Sequence, residues 1–298
     1  MFMNTNKINI IISNMIECFF VNRFFILLQK TNPNYFNENY VISSVTGSLN
    51  YSIWNLNRKE KYINFSTFQI LYNFYRENDI SINFVFENPN INEEEVYDNF
   101  SNLALSYAHE DGNSISLYSN VLENYIKNNY PSYKIFKITS PENKENKYIE
   151  IDSRYNSTIN KVENKQKTII TLNPICPPDC KLYDIHREYL SQEQKNFYAP
   201  SKFFICPLKS STCFYDLEKN PNFISNEEIK KYIENGFYTF RINANYIIRN
   251  TIINYSMIDI IESYVYYLIK PNFQNEIRHK AIEEYIKSLK KEFKQNNG

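Results

Sequence analysis

The stretch "STFQILYNFYRENDISINFVFE", residues 66–87, joins a helical pattern to a strand pattern and decides the fold class. Residues 66–78 repeat apolar side chains at helical spacing, whereas residues 81–87 form a short run rich in β-branched and aromatic side chains. A strand that is apolar on both faces is typical of a parallel sheet covered by helices. This unit of helix and strand therefore predicts an α/β fold.

The same unit recurs along the chain. Helical patterns cover residues 17–30, 66–78, 92–110, 119–130, 225–236 and 251–270. Candidate strands cover residues 7–13, 40–47, 81–87, 114–119, 133–139, 148–152, 167–173 and 237–243. Eight strands in 298 residues predict a (β/α)8 barrel of the TIM type.

The connection between the fifth and sixth strands is short. The sequence "SPENKEN" leaves little room for a helix there, so we expect an irregular barrel, with an incomplete barrel or an open doubly wound sheet as alternatives. No repeat or linker marks a boundary, and we expect a single barrel domain over residues 1–298. Residues 174–223 have no clear pattern and are interpreted as an insertion after the seventh strand.

Composition limits the classes of function. The chain has 33 basic and 33 acidic residues, so no net field would attract it to nucleic acid, and we expect no strong nucleic-acid partner. The apolar amino-terminal stretch is interrupted at Asn14, Glu17, Asn22 and Arg23, which argues against a spanning helix. We expect a cytoplasmic protein without a membrane partner.

Glycine usage excludes several nucleotide-binding and hydrolase motifs. The four glycines lie at positions 47, 112, 236 and 298. A dinucleotide fingerprint, a P-loop and a nucleophile elbow each need clustered glycines. None of these motifs is present in the sequence.

Four of the five cysteines lie in the insertion. Cys176, Cys180, Cys206 and Cys213 have the spacing C-x3-C-x25-C-x6-C. An odd number of cysteines without a secretory signal argues against a disulfide framework, whereas four thiolates suit an iron–sulfur cluster or a structural zinc ion. Packing of free thiols in the core is the remaining alternative.

Polar side chains are expected at the carboxyl ends of the strands, where the active sites of such barrels lie. Glu87 and Asp152 are the candidate catalytic carboxylates. Arg241 would hold an anionic substrate group, cap a helix or pair with Asp152. The candidate substrate-binding residues are Asn88, Asn173 and Asn243.

Two motifs resemble one known family. The segment "TLNPICPPDCKLYDIHREY", residues 171–189, and the later "NGFYTFRINAN", residues 235–245, resemble motifs of the collagenase-like peptidase family of unassigned catalytic type. The second motif is similar to the family's G-x-x-x-F-K-I-E-G-R. Arg241 stands where lysine is usual, Asn243 replaces the glutamate, and residues 244–245 replace the glycine and arginine.

The resemblance implies a barrel enzyme with a 4Fe–4S cluster on the four cysteines named above. Family members hydroxylate RNA or quinones or have reported peptidase activity, so the implied substrate is RNA, a peptide or a small ring. The departures in strand eight favour an alternative, a non-catalytic interaction or scaffold protein of a low-GC bacterium or phage, with zinc or no metal on the cysteines. The sequence indicates neither the oligomeric state nor one substrate.

Overall fold

The computed structural model describes the backbone of most of the chain. The described residues are 7–47, 49, 52–56, 63–109, 112–174, 176, 180–195, 218–219, 222–243 and 257–296. Within them, eight parallel strands pair in chain order, and the last strand pairs with the first. The closed eight-stranded barrel confirms the predicted fold class.

Each strand lies within its predicted range. The strands are β1 Ile8–Ile12, β2 Tyr40–Gly47, β3 Ser81–Phe86, β4 Ser114–Leu117, β5 Lys134–Thr139, β6 Ile149–Ile151, β7 Thr168–Thr171 and β8 Thr239–Arg241. The prediction succeeded because the outward faces of these strands are buried under helices, which requires apolar side chains there.

The helices mostly follow the predicted pattern. They are α1 Phe19–Thr31, α2 Phe65–Glu77, α3 Asn99–Tyr107, α4 Asn120–Asn129, α5 Tyr183–Lys195, α6 Asn226–Glu234, α7 Met257–Leu268 and α8 Gln274–Asn296. The predicted helix over 92–110 begins later than expected, because the Asp98 side chain accepts a hydrogen bond from the amide of Ser101 and caps α3. The first part of the helix predicted over 251–270 lies outside the described residues.

Two connections depart from a regular barrel. No helix lies between β5 and β6, all of whose linking residues are described, and this confirms the expected irregularity. Between β6 and β7 the chain forms a 3-10 helix, Ser153–Lys161, which the sequence pattern did not predict. Of the described residues, no helix is both long and apolar enough to cross a bilayer.

The barrel interior is polar at its middle. Barrel interiors of this type are usually filled by branched apolar side chains. Here Ile11, Phe136 and Ile169 form a small apolar cluster inside the barrel. A second group of interior residues, from other strand positions, is buried and polar: Asn83, Ser116, Glu150 and Arg241. Buried polar side chains of this kind need hydrogen-bond partners. This polar group continues toward the carboxyl end of the barrel.

Helix α5 contacts the loops at the carboxyl end of the barrel. The Ser191 hydroxyl donates to Asn88 Oδ1 at 2.7 Å, just past β3. The Gln194 amide donates to the backbone oxygen of Ser52, after β2, at 2.8 Å. These buried hydrogen bonds fix α5 over the strand ends. The side chains of α5 therefore contribute to the surface at the carboxyl end of the barrel.

Candidate functional site

A cavity of about 200 Å³ lies at the carboxyl end of the barrel. Strand ends, the loops after them and helix α5 all contribute to its wall. The polar and ionisable side chains in the wall are Thr46, Glu87, Tyr118, Glu150, Asp152, Ser153, Thr171, Cys176, Tyr183, His186, Arg187, Arg241 and Asn243. The predicted catalytic residues Glu87, Asp152 and Arg241 therefore line the same cavity.

Arg241 is the centre of the polar barrel interior. Its Nη1 lies 2.5 Å from Glu150 Oε1, and both side chains are at least nine-tenths buried. Its Nη2 donates to Asn83 Oδ1 and to Ser116 Oγ. The partner of Arg241 is therefore Glu150, and the alternative pairing with Asp152 is wrong, because Glu150 lies deeper on the same strand face.

The Glu150 and Arg241 pair is incompletely hydrogen-bonded. Glu150 Oε2 and Arg241 Nε are buried and have no hydrogen-bond partner within the described part of the chain. Burial raises the pKa of Glu150, and the positive charge of Arg241 opposes this rise. The positive charge of Arg241 thus offsets the negative charge of Glu150 inside the barrel. The hydrogen bonds of Arg241 to interior residues anchor it too firmly for it to move toward a substrate.

Asp152 is an anchor for its surroundings. Its carboxylate accepts from the Tyr118 hydroxyl at 3.0 Å, from Arg154 Nη2 at 3.0 Å and Nε at 3.2 Å, and from the Arg154 amide at 3.1 Å. The residue is 2% exposed. A carboxylate with this many donors is held in one position. Asp152 is brought into the cavity as predicted, yet its contacts favour a positioning role over proton transfer.

Glu87 differs from the other two carboxylates. It follows β3, is partly buried, and its carboxylate has no hydrogen-bond donor among the residues that the structure describes. Burial raises the pKa of Glu87; Arg187 and Arg241 oppose this rise, and the Asp152 charge adds to it. A carboxyl group with a raised pKa and unused lone pairs is suited to give and take a proton.

Arg187 brings helix α5 against the strand ends. Its guanidinium carbon lies 3.5 Å from the centroid of the Tyr118 ring, and Nη2 donates to the Glu87 backbone oxygen at 2.5 Å. Nη1 lies 3.5 Å from the Tyr183 hydroxyl and 3.8 Å from Asp152 Oδ2. The arginine is thus held in the wall of the cavity beside Glu87.

The two tyrosines remain neutral donors. Burial raises the pKa of Tyr183 to about 12 and that of Tyr118 well above its usual value. Both hydroxyls lie within 3.4 Å of Asp152 carboxylate oxygens. They help to hold Asp152 in place.

The three predicted substrate-binding asparagines, Asn88, Asn173 and Asn243, differ in whether they line the cavity. Asn88 is buried, donates to the Ile53 backbone oxygen at 2.7 Å and accepts from Ser191, so its contacts connect β3 to its neighbours. The Asn173 side chain exchanges two hydrogen bonds with the backbone of Asn243, at 2.7 and 2.9 Å, and joins the ends of β7 and β8. Of the three asparagines, Asn243 lines the cavity.

The predicted metal ligands are only half described. Cys176 and Cys180 are partly buried, and Cys176 lines the cavity. Cys206 and Cys213 lie outside the described residues. Across the described ranges, no group of three or more histidine, cysteine or acidic side chains could hold a metal ion. The four-thiolate arrangement therefore stays a prediction.

Four residues of the site were missed in the sequence. Glu150 had a usable signal, since it stands two residues before Asp152 and so shares its strand face. Tyr118 also had a signal, since it lies at the carboxyl end of the predicted fourth strand. Tyr183 and Arg187 had none, because they lie on α5, whose position on the barrel depends on distant contacts. His186, whose pKa is lowered by burial, also lines the cavity.

Comparison with known proteins adds no relative. No protein-family model, curated protein or solved structure matches this chain. The case for function is therefore made from the cavity itself.

Proposed function

We propose that this chain is a barrel enzyme that transfers a proton to or from a small substrate bound at the carboxyl end of the barrel. Glu87 is the acid and base. The observation that carries the proposal is the contrast between Glu87, which has no hydrogen-bond donor in the described structure, and the two locked carboxylates of the same cavity.

The surroundings of Glu87 fit this role. Acid–base catalysis is most effective when the pKa of the catalytic group is close to the working pH, and burial moves Glu87 in that direction. Asp152 and Glu150 are each paired with an arginine, so both ion pairs are held in place around Glu87. Such a fixed set of charges stabilises charge that develops on a substrate.

The size of the cavity limits the substrate. About 200 Å³ is below the usual range of roughly 300–1,000 Å³ for ligand pockets. Of the substrates that the family resemblance implies, a small ring or a single residue of a larger molecule fits this volume. We therefore propose a small polar molecule as the reacting group.

Exchange of substrate protons with solvent tests the proposal without knowledge of the product. A mixture of small metabolites is incubated with the protein in deuterium oxide, and deuterium incorporation is followed by NMR. We expect incorporation into at least one compound with the wild type. Glu87→Gln keeps the size of the side chain, but the amide cannot transfer a proton. The rate of deuterium incorporation should therefore fall about 100-fold or more.

A matched control is Glu163→Gln, because Glu163 is exposed and pairs with Lys144 away from the cavity. This variant should exchange at the wild-type rate. Equal rates for Glu87→Gln and the wild type, or no incorporation into any compound, would contradict the proposal.

A second proposal is the iron–sulfur enzyme implied by the family resemblance. It is favoured by the position of Cys176 in the wall of the cavity that Glu87 also lines. A cluster there would supply redox chemistry for a hydroxylation. The described residues provide two of its four predicted ligands, Cys176 and Cys180.

Anaerobic purification with iron and sulfide analysis tests this second proposal. We expect a broad absorption band at about 400 nm that is lost in Cys176→Ala. Cys18→Ala is the control, because Cys18 is a buried core residue beside α1. A colourless wild-type protein without iron would contradict the cluster and leave the proton-transfer proposal untouched. If both proposals fail, the non-catalytic scaffold remains.

A further inference from the structure

Arg187 has donor capacity that the described structure does not use. A guanidinium group carries five N–H donors. Its recorded hydrogen bonds go to the Glu87 backbone oxygen and, at 3.5 Å, to the Tyr183 hydroxyl. Its side chain is 12% exposed and lines the cavity. The remaining donors are thus available to a ligand.

The other guanidinium groups near the cavity are occupied. Arg241 is bonded to Glu150, Asn83 and Ser116. Arg154 is bonded to both oxygens of Asp152 and to Asp184. Arg187 is therefore the least engaged of the three guanidinium groups, since its ion pair with Asp152 is longer, at 3.8 Å, than those of Arg154 and Arg241.

The charge of the cavity depends on Glu87. The charged and titratable groups around Glu87 come from several elements: Arg187, Tyr183 and His186 from α5, Tyr118 after β4, Glu150 and Asp152 from β6 and its end, Arg154 after it, Cys176 after β7, and Arg241 from β8. With all carboxylates ionised, the three arginines balance the three carboxylates that line the cavity; Asp184, the second partner of Arg154, lies outside the cavity wall, is exposed, and is screened by solvent. Protonation of Glu87 leaves one positive charge, that of Arg187.

We propose that the cavity binds a small monocarboxylate through Arg187, and that binding is accompanied by uptake of a proton on Glu87. This inference rests on the proposed function, for which it names the substrate class. A carboxylate matches the planar fork of an arginine and can accept two parallel hydrogen bonds from it. Its arrival beside Glu87 places two negative charges together, which favours the protonated form of Glu87.

The single positive charge explains why we choose a monoanion. A phosphate dianion would bring one more negative charge than the cavity can balance, with Asp152 and Glu150 fixed nearby. A neutral ligand would leave the donors of Arg187 without a charged partner. Binding of a monocarboxylate would also load Glu87 with the proton that it delivers in the proposed reaction.

Isothermal titration calorimetry tests the inference with three probes that share a phenyl ring: benzoate, benzamide and phenylphosphonate, with acetate as a smaller carboxylate. We expect benzoate or acetate to bind at least about tenfold more tightly than the neutral and dianionic probes. Titrations in two buffers of different ionisation enthalpy report the protons taken up, and we expect net uptake that approaches one proton. Affinity should fall about tenfold per pH unit above the pKa of Glu87.

Two variants separate the roles of the residues. Arg187→Gln should weaken carboxylate binding by about tenfold or more, while Arg278→Gln on α8, far along the chain from the cavity, should not. Glu87→Gln should bind the carboxylate as tightly at neutral pH as the wild type does in acid, without proton uptake. Circular dichroism confirms that each variant is folded.

Three results would overturn the inference: no binding of either carboxylate, equal affinity for benzoate and benzamide, or unchanged proton uptake in Glu87→Gln. The last result would assign the proton to His186, which also lines the cavity. The deuterium exchange test is independent of these outcomes. Carboxylate binding without exchange would contradict the proposed function alone, and exchange without carboxylate binding would contradict this inference alone.

Discussion

The guanidinium of Arg187 lies over the ring of Tyr118, with its central carbon 3.5 Å from the ring centroid. Arg187 belongs to α5 and Tyr118 to the end of β4, and their sequence separation is large. This stack connects the insertion to the barrel at the wall of the cavity. Cation and ring together contribute about 0.5–2 kcal/mol when the pair is shielded from water.

Glu87→Gln should change how stability depends on pH. Because the folded-state pKa of Glu87 is raised by burial, the folded protein binds the proton more tightly than the unfolded chain does. Wild-type stability should therefore fall as pH rises through the window between the unfolded and folded pKa values, by up to about 1.4 kcal/mol per pH unit. The variant should lack this fall and be the more stable protein at neutral pH. Urea unfolding at several pH values measures the difference, and parallel curves for the two proteins would contradict it.

Arg241→Met should be strongly destabilising. It leaves the buried Glu150 carboxylate without its partner, and loss of one member of a buried pair costs about 3–5 kcal/mol. Adding Glu150→Gln removes the uncompensated charge, so the double variant should be more stable than Arg241→Met alone. Chemical denaturation of the three variants checks this. Additive losses would mean that the two side chains are not coupled.

Ser191→Ala should loosen α5 without unfolding the barrel. The change removes a buried hydroxyl that donates to Asn88 Oδ1, a bond that contributes about 1 kcal/mol. Amide hydrogen exchange should become faster in α5 and stay unchanged in α2 and α4. Ser288→Ala is a matched control, because that hydroxyl bonds within α8 to Tyr285. Unchanged exchange in α5 would show that this bond does not fix the helix.

Gly47→Ala should destabilise the barrel wall. A Cβ atom at position 47 would lie 2.7 Å from Ile82 Cγ2 and 2.9 Å from Phe84 Cδ1, closer than packed atoms approach. Overpacking of this kind costs about 1–3 kcal/mol. Thermal unfolding checks the prediction, and a midpoint equal to that of the wild type would contradict it.

The strands could be predicted from the sequence, whereas much of the site could not. Strand positions follow from local apolar runs such as residues 81–87, and the site residues Glu87, Asp152 and Arg241 follow from their place at strand ends. Arg187 was missed because its role depends on where α5 lies, which is set by bonds such as that from Ser191 to Asn88. Glu150 was missed because a carboxylate in mid-strand is unexpected unless a buried partner such as Arg241 is known.

Direct titration of the Glu87 carboxyl is the measurement that tests the central claim most directly. Carbon-13 NMR of protein labelled at glutamate carboxyls, with Glu87→Gln to assign the resonance, follows its protonation with and without benzoate. We predict a midpoint above the usual glutamate value of about 4.3, and a further rise when benzoate binds. A midpoint at or below the usual value would contradict the assignment of Glu87 as the acid and base of this barrel.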